Sequence, residues 1–338
     1  MGNTPLAWAA ENGHEGVVRE LLGRDDIDPD KPGADGETPL LLASCKGDEG
    51  IVEMLLGRDD VNPDKSNQYG WTPLSGAAYN GHSGVVKMLL GRDNVNPNKS
   101  DDSGQTPLCW AAYHGHESVV RELLGRGDID ADKPNNDGQT PLSGAAFKGH
   151  EGVVKILLGR DDVNPNKPNV VGETPLLFAV RSKHERVVKV LLGRDDVNPN
   201  PQDDEGRIPL LFAASDGHET LVKLLLGRND INPDKPDMYS QTPLHFAAWS
   251  GQKGVVEVLL GRDDVNPNRP DEEGQTPLLR AACNGHEGVV KMLLGRDDVD
   301  SDKPDNQGRT PLWLATENGH AGVMALLQPP TSATHTPA

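Results

Sequence analysis

The sequence predicts an all-α solenoid: ten helix-turn-helix repeats of 34 residues with projecting hairpin loops, stacked into one elongated domain. Three observations carry this. A Thr-Pro pair stands at Thr4, Thr38, Thr72, Thr106, Thr140, Thr174, Thr242, Thr276 and Thr310, with Ile208-Pro209 in the one remaining place, always 34 residues apart. A fixed period of this size marks an architecture in which each repeat leans on its neighbours. Within each period the apolar residues fall at helical spacing, and the helices they outline are shorter than the roughly 12–15 residues that hold alone in water. The hydrophobic share is 35% and the aromatic share 4%, little for one large globule but enough for layers of Leu, Val and Ala.

The repeat at 138–171, GQTPLSGAAFKGHEGVVKILLGRDDVNPNKPNVV, shows why each element forms. Thr140 is placed to cap a helix with its hydroxyl, and Pro141 takes the first helical position, where a missing N–H costs nothing. Leu142, Ala145 and Ala146 share a face, and the two alanines let a neighbouring backbone come close. Gly149 can adopt the left-handed stop. A second helix is predicted from about His150 to Leu158, carrying Val153, Val154, Ile156, Leu157 and Leu158, and is stopped by Gly159. Arg160 to Val171 is rich in Asp, Asn, Pro and Lys, with Asn164-Pro165 a turn start, and reads as a polar projecting loop.

Taken in order, the repeats span 2–35, 36–69, 70–103, 104–137, 138–171, 172–205, 206–239, 240–273, 274–307 and 308–327, and a tail at 328–338 is expected to be disordered. The first repeat has no preceding polar helix, so its outer apolar side implies either fraying or a further segment upstream. The second has Asp48 where the others carry His. The sixth departs most: Val180 replaces Ala, Arg186 a small residue, and Lys183 the turn Gly, a left-handed position costing about 1 kcal/mol for a residue with a side chain. Then come an extra Pro201, Ile208 at the cap, Ser240 for Gly, and Gln252-Lys253 for His-Glu. Residues 172–273 are thus the least regular third, through drift or as a hinge or specialised contact region.

The pattern G-x-T-P-L-x-x-A-A-x-x-G-H-x-x-V-V-x-x-L-L, covering residues 2 to about 327, resembles the ankyrin repeat. The resemblance implies a helix-turn-helix stack that binds other proteins and does not catalyse. The loop departs from the family spelling, since Leu-Leu-Gly-Arg-Asp-Asp-Val-Asn-Pro is shorter before the Asn and longer after it. The near-identical tandem repeats are similar to the arrays appended to fungal NACHT-type (NLR-like) intracellular receptors, which implies the recognition module of a larger receptor.

In that family the contact positions are the two residues before the repeat Gly, the one between Gly and Thr, and the two after Ala-Ala. Here they hold Tyr69, Trp71, Tyr79, Tyr113, Phe147, Tyr239 and Trp249, seven of the chain's 13 aromatic residues. Large stiff side chains give contact area at low entropic cost, so the concentration has a physical motive. His114, Lys148 and Arg181 add polar and basic groups beside them, suiting a partner surface with apolar spots and some acidic residues. A blander reading competes. Gly76 and Gly144 stand where other repeats carry Trp110, Phe178, Phe212 or Phe246, and Tyr79 and Phe147, three residues on, could fill the vacated space.

The net charge of −19 argues against nucleic acid or an anionic membrane as partner. Nine arginines at one repeat position, Arg24 through Arg296, lie beside Asp or Asn and read as structural pairs rather than a phosphate ladder. Cys45, Cys109 and Cys283 have neither disulfide nor metal spacing, which fits a reduced, cytoplasmic setting. No apolar run has membrane length, and Leu6 stands where a myristoylation signal needs Ser or Thr. Eight histidines, His14, His82, His116, His150, His184, His218, His286 and His320, recur one repeat apart, roughly 10 Å at helix packing distances, too far to share an ion, and are expected to hydrogen-bond. There is no phosphate loop, His-Glu-x-x-His or nucleophile elbow, so neither catalysis nor a cofactor is expected.

The leading reading is a monomeric, non-catalytic scaffold that grips a partner protein on its concave face, centred on repeats two to five. The alternatives are a structural spacer or spring within a larger protein and, less favoured, an enzyme whose site uses ordinary-looking residues. The Asp-Val-Asn runs at Asn62, Asn164 and Asn266 resemble those that asparaginyl hydroxylases modify in family members.

Overall fold

A hydroxyl placed before a proline-led helix satisfies one of the N–H groups that a helix start leaves unpaired. In the computed structural model, which describes residues 2–328, Thr140 Oγ1 accepts the Ser143 N–H at 3.2 Å, and the Ser143 hydroxyl oxygen accepts the Thr140 N–H at 2.7 Å. Among the described residues there are twenty α-helices in ten pairs and no strand; the proline-led start recurs at the first helix of each pair, behind a threonine in all but the Ile208 repeat, and not at the second helices. The chain divides into two compact halves, Met1–Val170 and Val171–Ala338. The first holds α1 (Pro5–Glu11), α2 (Glu15–Leu22), α3 (Pro39–Lys46), α4 (Glu49–Leu56), α5 (Pro73–Asn80), α6 (Ser83–Leu90), α7 (Pro107–His114), α8 (Glu117–Leu124), α9 (Pro141–Lys148) and α10 (Glu151–Leu158). The second holds α11 (Pro175–Arg181), α12 (Glu185–Leu192), α13 (Pro209–Ser215), α14 (Glu219–Leu226), α15 (Pro243–Trp249), α16 (Lys253–Leu260), α17 (Pro277–Cys283), α18 (Glu287–Leu294), α19 (Pro311–Glu317) and α20 (Ala321–Leu327). Residues 329–338, nearly all of the expected disordered tail, lie outside the described residues. None of the described helices is long and apolar enough to cross a membrane.

Within each half, first helices pack on the first helices of adjacent repeats and second helices on second helices. Leu142, Ala145, Ala146, Val153, Val154 and Leu157 are fully buried in this way. A buried Leu or Val contributes roughly 1.5–3 kcal/mol, so each layer is held mainly by the next.

The turn between the two helices explains the recurring Gly-His. Gly115 ends α7 at φ 77°, and a β-carbon there would meet His150 Nδ1 of the next repeat at 2.5 Å. The imidazole lies on the bare glycine and donates from Nε2 to the Tyr113 carbonyl at 3.0 Å. His82 on Cys45 (3.1 Å), His116 on Tyr79 (2.9 Å), His286 on Trp249 (2.8 Å) and His320 on Cys283 (2.9 Å) repeat the bond. This is the structural role expected of these histidines. Lys183, at φ 64°, adopts the left-handed conformation that the sequence reading anticipated, as does Ser240 at φ 63°. Lys183 sets a β-carbon where other repeats leave room for the ring, and the following histidine, His218, has its Nε2 buried with no partner. Gly159 ends α10 differently, in the right-handed region at φ −73°. What it provides there is space, since a β-carbon would come 3.3 Å from the Ile156 carbonyl oxygen.

The loops are stitched from repeat to repeat. Arg58 pairs with Asp60 and also donates from Nη1 to the Leu22 carbonyl at 2.8 Å, capping the C-terminal end of α2. Arg126 does the same with Asp128 and Leu90, and Arg296 with Asp298 and Leu260. The ion pair holds the Asp60, Asp128 and Asp298 carboxyls below their usual range. The expected pairing is present, and it is an inter-repeat clamp as well. Lys65 Nζ reaches the Asp30 carbonyl at 2.7 Å and Lys133 Nζ the Asn98 carbonyl at 2.8 Å. At the loop tips, backbone N–H groups of Gln68, Asp102, Asn136 and Val170 donate to the carbonyls of Asp35, Tyr69, Ser103 and Asp137 at 3.0–3.2 Å.

One capping partner is unusual. His245 Nδ1 accepts the Thr242 N–H at 3.1 Å, so Nε2 carries the proton and donates to the Gln275 carbonyl at 3.1 Å. Burial pushes the imidazole down to about 4, against the pull of Asp271, and a second ring proton would face the Thr242 N–H.

Lys183→Gly should raise the urea midpoint, by a net 1–2 kcal/mol or so after the glycine's own entropy is counted, and give His218 its missing bond; Gly115→Ala should lower it by about 1 kcal/mol or more. For His245 the folded value lies below the unfolded one near 6.5. Its contribution is therefore complete above about pH 6.5 and is lost as the pH falls toward 4, a loss on the order of 3 kcal/mol. His245→Leu, the residue that four other repeats carry here, should flatten that part of the acid limb in pH-dependent denaturation.

Candidate partner-binding surface

The first helix of most repeats buries an Ala-Ala pair and then turns its next two residues outward. In α7, Ala111 and Ala112 are fully buried while Tyr113 and His114 are half-buried; in α9 the same step leaves Phe147 41% exposed. What stands here is decided by the sequence rather than by the fold.

In the first half the aromatic residues meet. Trp71, Tyr79 and Trp110 form a triangle with ring centroids 5.1–5.2 Å apart, and His114 lies edge-on to Tyr79 at 4.3 Å. Such offset and edge contacts contribute roughly 0.5–1.5 kcal/mol beyond burial. Beside them Tyr113 and Phe147 stack at 6.4 Å, with Lys148 Nζ 4.7 Å from the Tyr113 ring and 5.4 Å from the Phe147 ring. The ammonium is held over ring faces, which attract a cation. Tyr69, 55% exposed at a loop tip, makes none of these ring contacts.

A buried acid fixes the triangle. Asp101 Oδ1 accepts the N–H groups of Ser103 and Gln105, both at 2.9 Å, closing the loop-tip turn. Its Oδ2 accepts the Trp110 Nε1–H at 2.9 Å. Sequence reasoning left out both residues as parts of the site. Trp110 was legible only as a filler of helix space, and a contact nine residues back, across a loop, leaves no periodic mark.

The structure corrects the readings of several side chains. The space at Gly76 is lined by Cys45 Sγ and Leu41 Cδ1 of the preceding repeat, and that at Gly144 by the Tyr113 ring, 3.7 Å from where a β-carbon would stand. The atoms nearest to either glycine are thus those of the preceding repeat, Tyr113 among them, rather than those of Tyr79 or Phe147. Trp71 is braced by Tyr79 and Trp110. Burial, then the neighbouring charges of His116, Lys148 and His150, hold the His114 imidazole below the usual histidine range, and its Nε2 is buried without a partner.

The other predicted residues lie in the second half. Arg181 is ion-paired with Glu173, and its guanidinium lies 5.2 Å from the Phe212 ring centre, so its charge is already engaged. Tyr239 and Trp249 are 49% and 52% exposed. Trp249 lines a cleft of about 240 Å³ with Gln241, His245, Phe246 and Arg280. Among the described residues, no three His, Cys, Asp or Glu side chains are placed to hold a metal ion.

A family model described as "Ankyrin repeats (3 copies)" matches residues 1–65, 59–135, 86–169, 128–203, 176–271 and 262–335. No curated protein matches the chain. Proteins with these repeats are generally protein–protein interaction modules and typically non-catalytic scaffolds. The Gly-His turns, the threonine-capped helix pairs and this match along nearly the whole length agree: the chain belongs to the ankyrin-repeat family.

Proposed function

We propose that the chain is a non-catalytic scaffold that binds a partner protein on the concave face of its repeats, centred on repeats two to five. One observation carries this reading: the Trp71, Tyr79 and Trp110 rings, with Tyr113 and Phe147 beside them, are partly exposed yet already locked in place by Asp101 and by one another. Rings whose rotamers are fixed before binding lose little entropy on contact, which favours them as binding hot spots. Lys148 is the cation among them, so the partner's matching surface has apolar spots with some acidic residues. A reducing, cytoplasmic setting accords with three unpaired thiols, Cys45, Cys109 and Cys283. In this reading the near-identical tandem repeats serve as the recognition module of a larger receptor of the NACHT type. The scaffold acts as a monomer.

The test is a partner captured from native extract and identified by mass spectrometry. Combined Trp71→Ala, Tyr113→Ala and Trp249→Ala should weaken its binding by tenfold or more, about 1.4 kcal/mol, with the helical signal unchanged. Phe147→Ala alone, which removes a partly exposed ring, should lower affinity while costing stability no more than the roughly 0.5–1.5 kcal/mol of its stacking contact. Undiminished affinity in both would refute the surface.

A further inference from the structure

The cleft at Trp249 differs in chemistry from the ring surface of the first half. At about 240 Å³ it is smaller than the roughly 300–1,000 Å³ that drug-sized ligands fill, and suits one inserted side chain. Its Phe246 and Trp249 walls are apolar. A smaller cleft of about 90 Å³ adjoins it, sharing Gln241 and Arg280 and lined further by Tyr239, Asp271, Glu272 and Glu273.

Arg280 does not make this an anion site. Its guanidinium is 2.6 Å from Asp271 Oδ2 and 4.0 Å from Glu273, so one cation faces three carboxylates. The Asp271 side chain is only 1% exposed, whereas Glu272 and Glu273 are open to solvent. The uncompensated charge at the rim is negative. It favours a cation and repels a carboxylate arriving with the apolar anchor.

We propose that α15 and α17 carry a second recognition site, which takes a peptide segment with an aromatic or aliphatic anchor in the Phe246–Trp249 cleft and a neighbouring lysine or arginine against Glu272 and Glu273. The site rests on the protein-binding reading but not on the ring surface of the first half. Its partner chemistry is opposite in sign to that expected around Lys148.

The full chain, ¹⁵N-labelled, gives one indole signal for each of its five tryptophans, and Trp249→Phe identifies the relevant one. The probes are the capped peptides Ac-Gly-Phe-Gly-Arg-Gly-NH2, its Arg-to-Glu counterpart and its Phe-to-Gly counterpart. The Phe/Arg peptide should shift the Trp249 indole saturably and bind about five-fold tighter than the Glu peptide at low salt, the size of a rim charge pair. The Gly peptide should not bind. Combined Glu272→Gln and Glu273→Gln should erase the Arg preference while leaving the requirement for Phe. No Trp249 shift at millimolar peptide, equal affinity for the Glu peptide, or a preference that survives the double substitution would overturn the site. Loss of the peptide response while partner capture stays sensitive to Phe147 would remove this site alone. Capture insensitive both to Phe147→Ala and to the combined Trp71, Tyr113 and Trp249 substitution, with the peptide response intact, would remove the other alone.

Discussion

None of the described helices is longer than eight residues, and helices that short do not persist in water by themselves. The contact between one repeat and the next is therefore the interaction on which the molecule depends. It is made in three places at once: apolar side chains between helices, an imidazole laid over a bare glycine, and arginine and lysine side chains reaching the helix-end and loop carbonyls of the preceding repeat. Each spans about one period, so each is satisfied only when the neighbouring layer is in register.

Much of this was legible in the sequence. Thr140, Pro141 and Gly149 act locally, through a cap, a fixed φ and a left-handed stop, and local chemistry can be read from spacing alone. The cost of Lys183 could be anticipated for the same reason. The clamps could not be read so directly. His150 bonds a carbonyl 37 residues back and Arg58 one 36 residues back, and a periodic sequence shows that such residues recur without showing what they touch. Arg92 illustrates the point, because Asn94 takes the place of the acid that pairs with the arginine in other repeats and only the loop geometry gives that difference meaning.

The binding surface was half legible. Its aromatic positions stood out by composition, but their mutual packing did not. Tyr113 lies against Gly144 in the next repeat, so whether a ring is free depends on the residue 31 positions later. Burial and then charged neighbours lower the His114 pKa, which its residue type alone does not show. Burial and charge at a surface residue are properties of the assembled layers, whereas ring size and helical position are properties of the string.

Asp101 has a counterpart in Asp271, 170 residues on, and the two share one geometry: one oxygen closes the loop-tip turn and the other grips the side chain at a fixed place on the first helix. In one repeat that side chain is an indole; in the other it is a guanidinium. The carboxylate thus works as a standard socket with an exchangeable fitting. Recognition chemistry at this spot can be swapped while the turn beneath it stays shut, so an array of nearly identical layers can carry surfaces of quite different character.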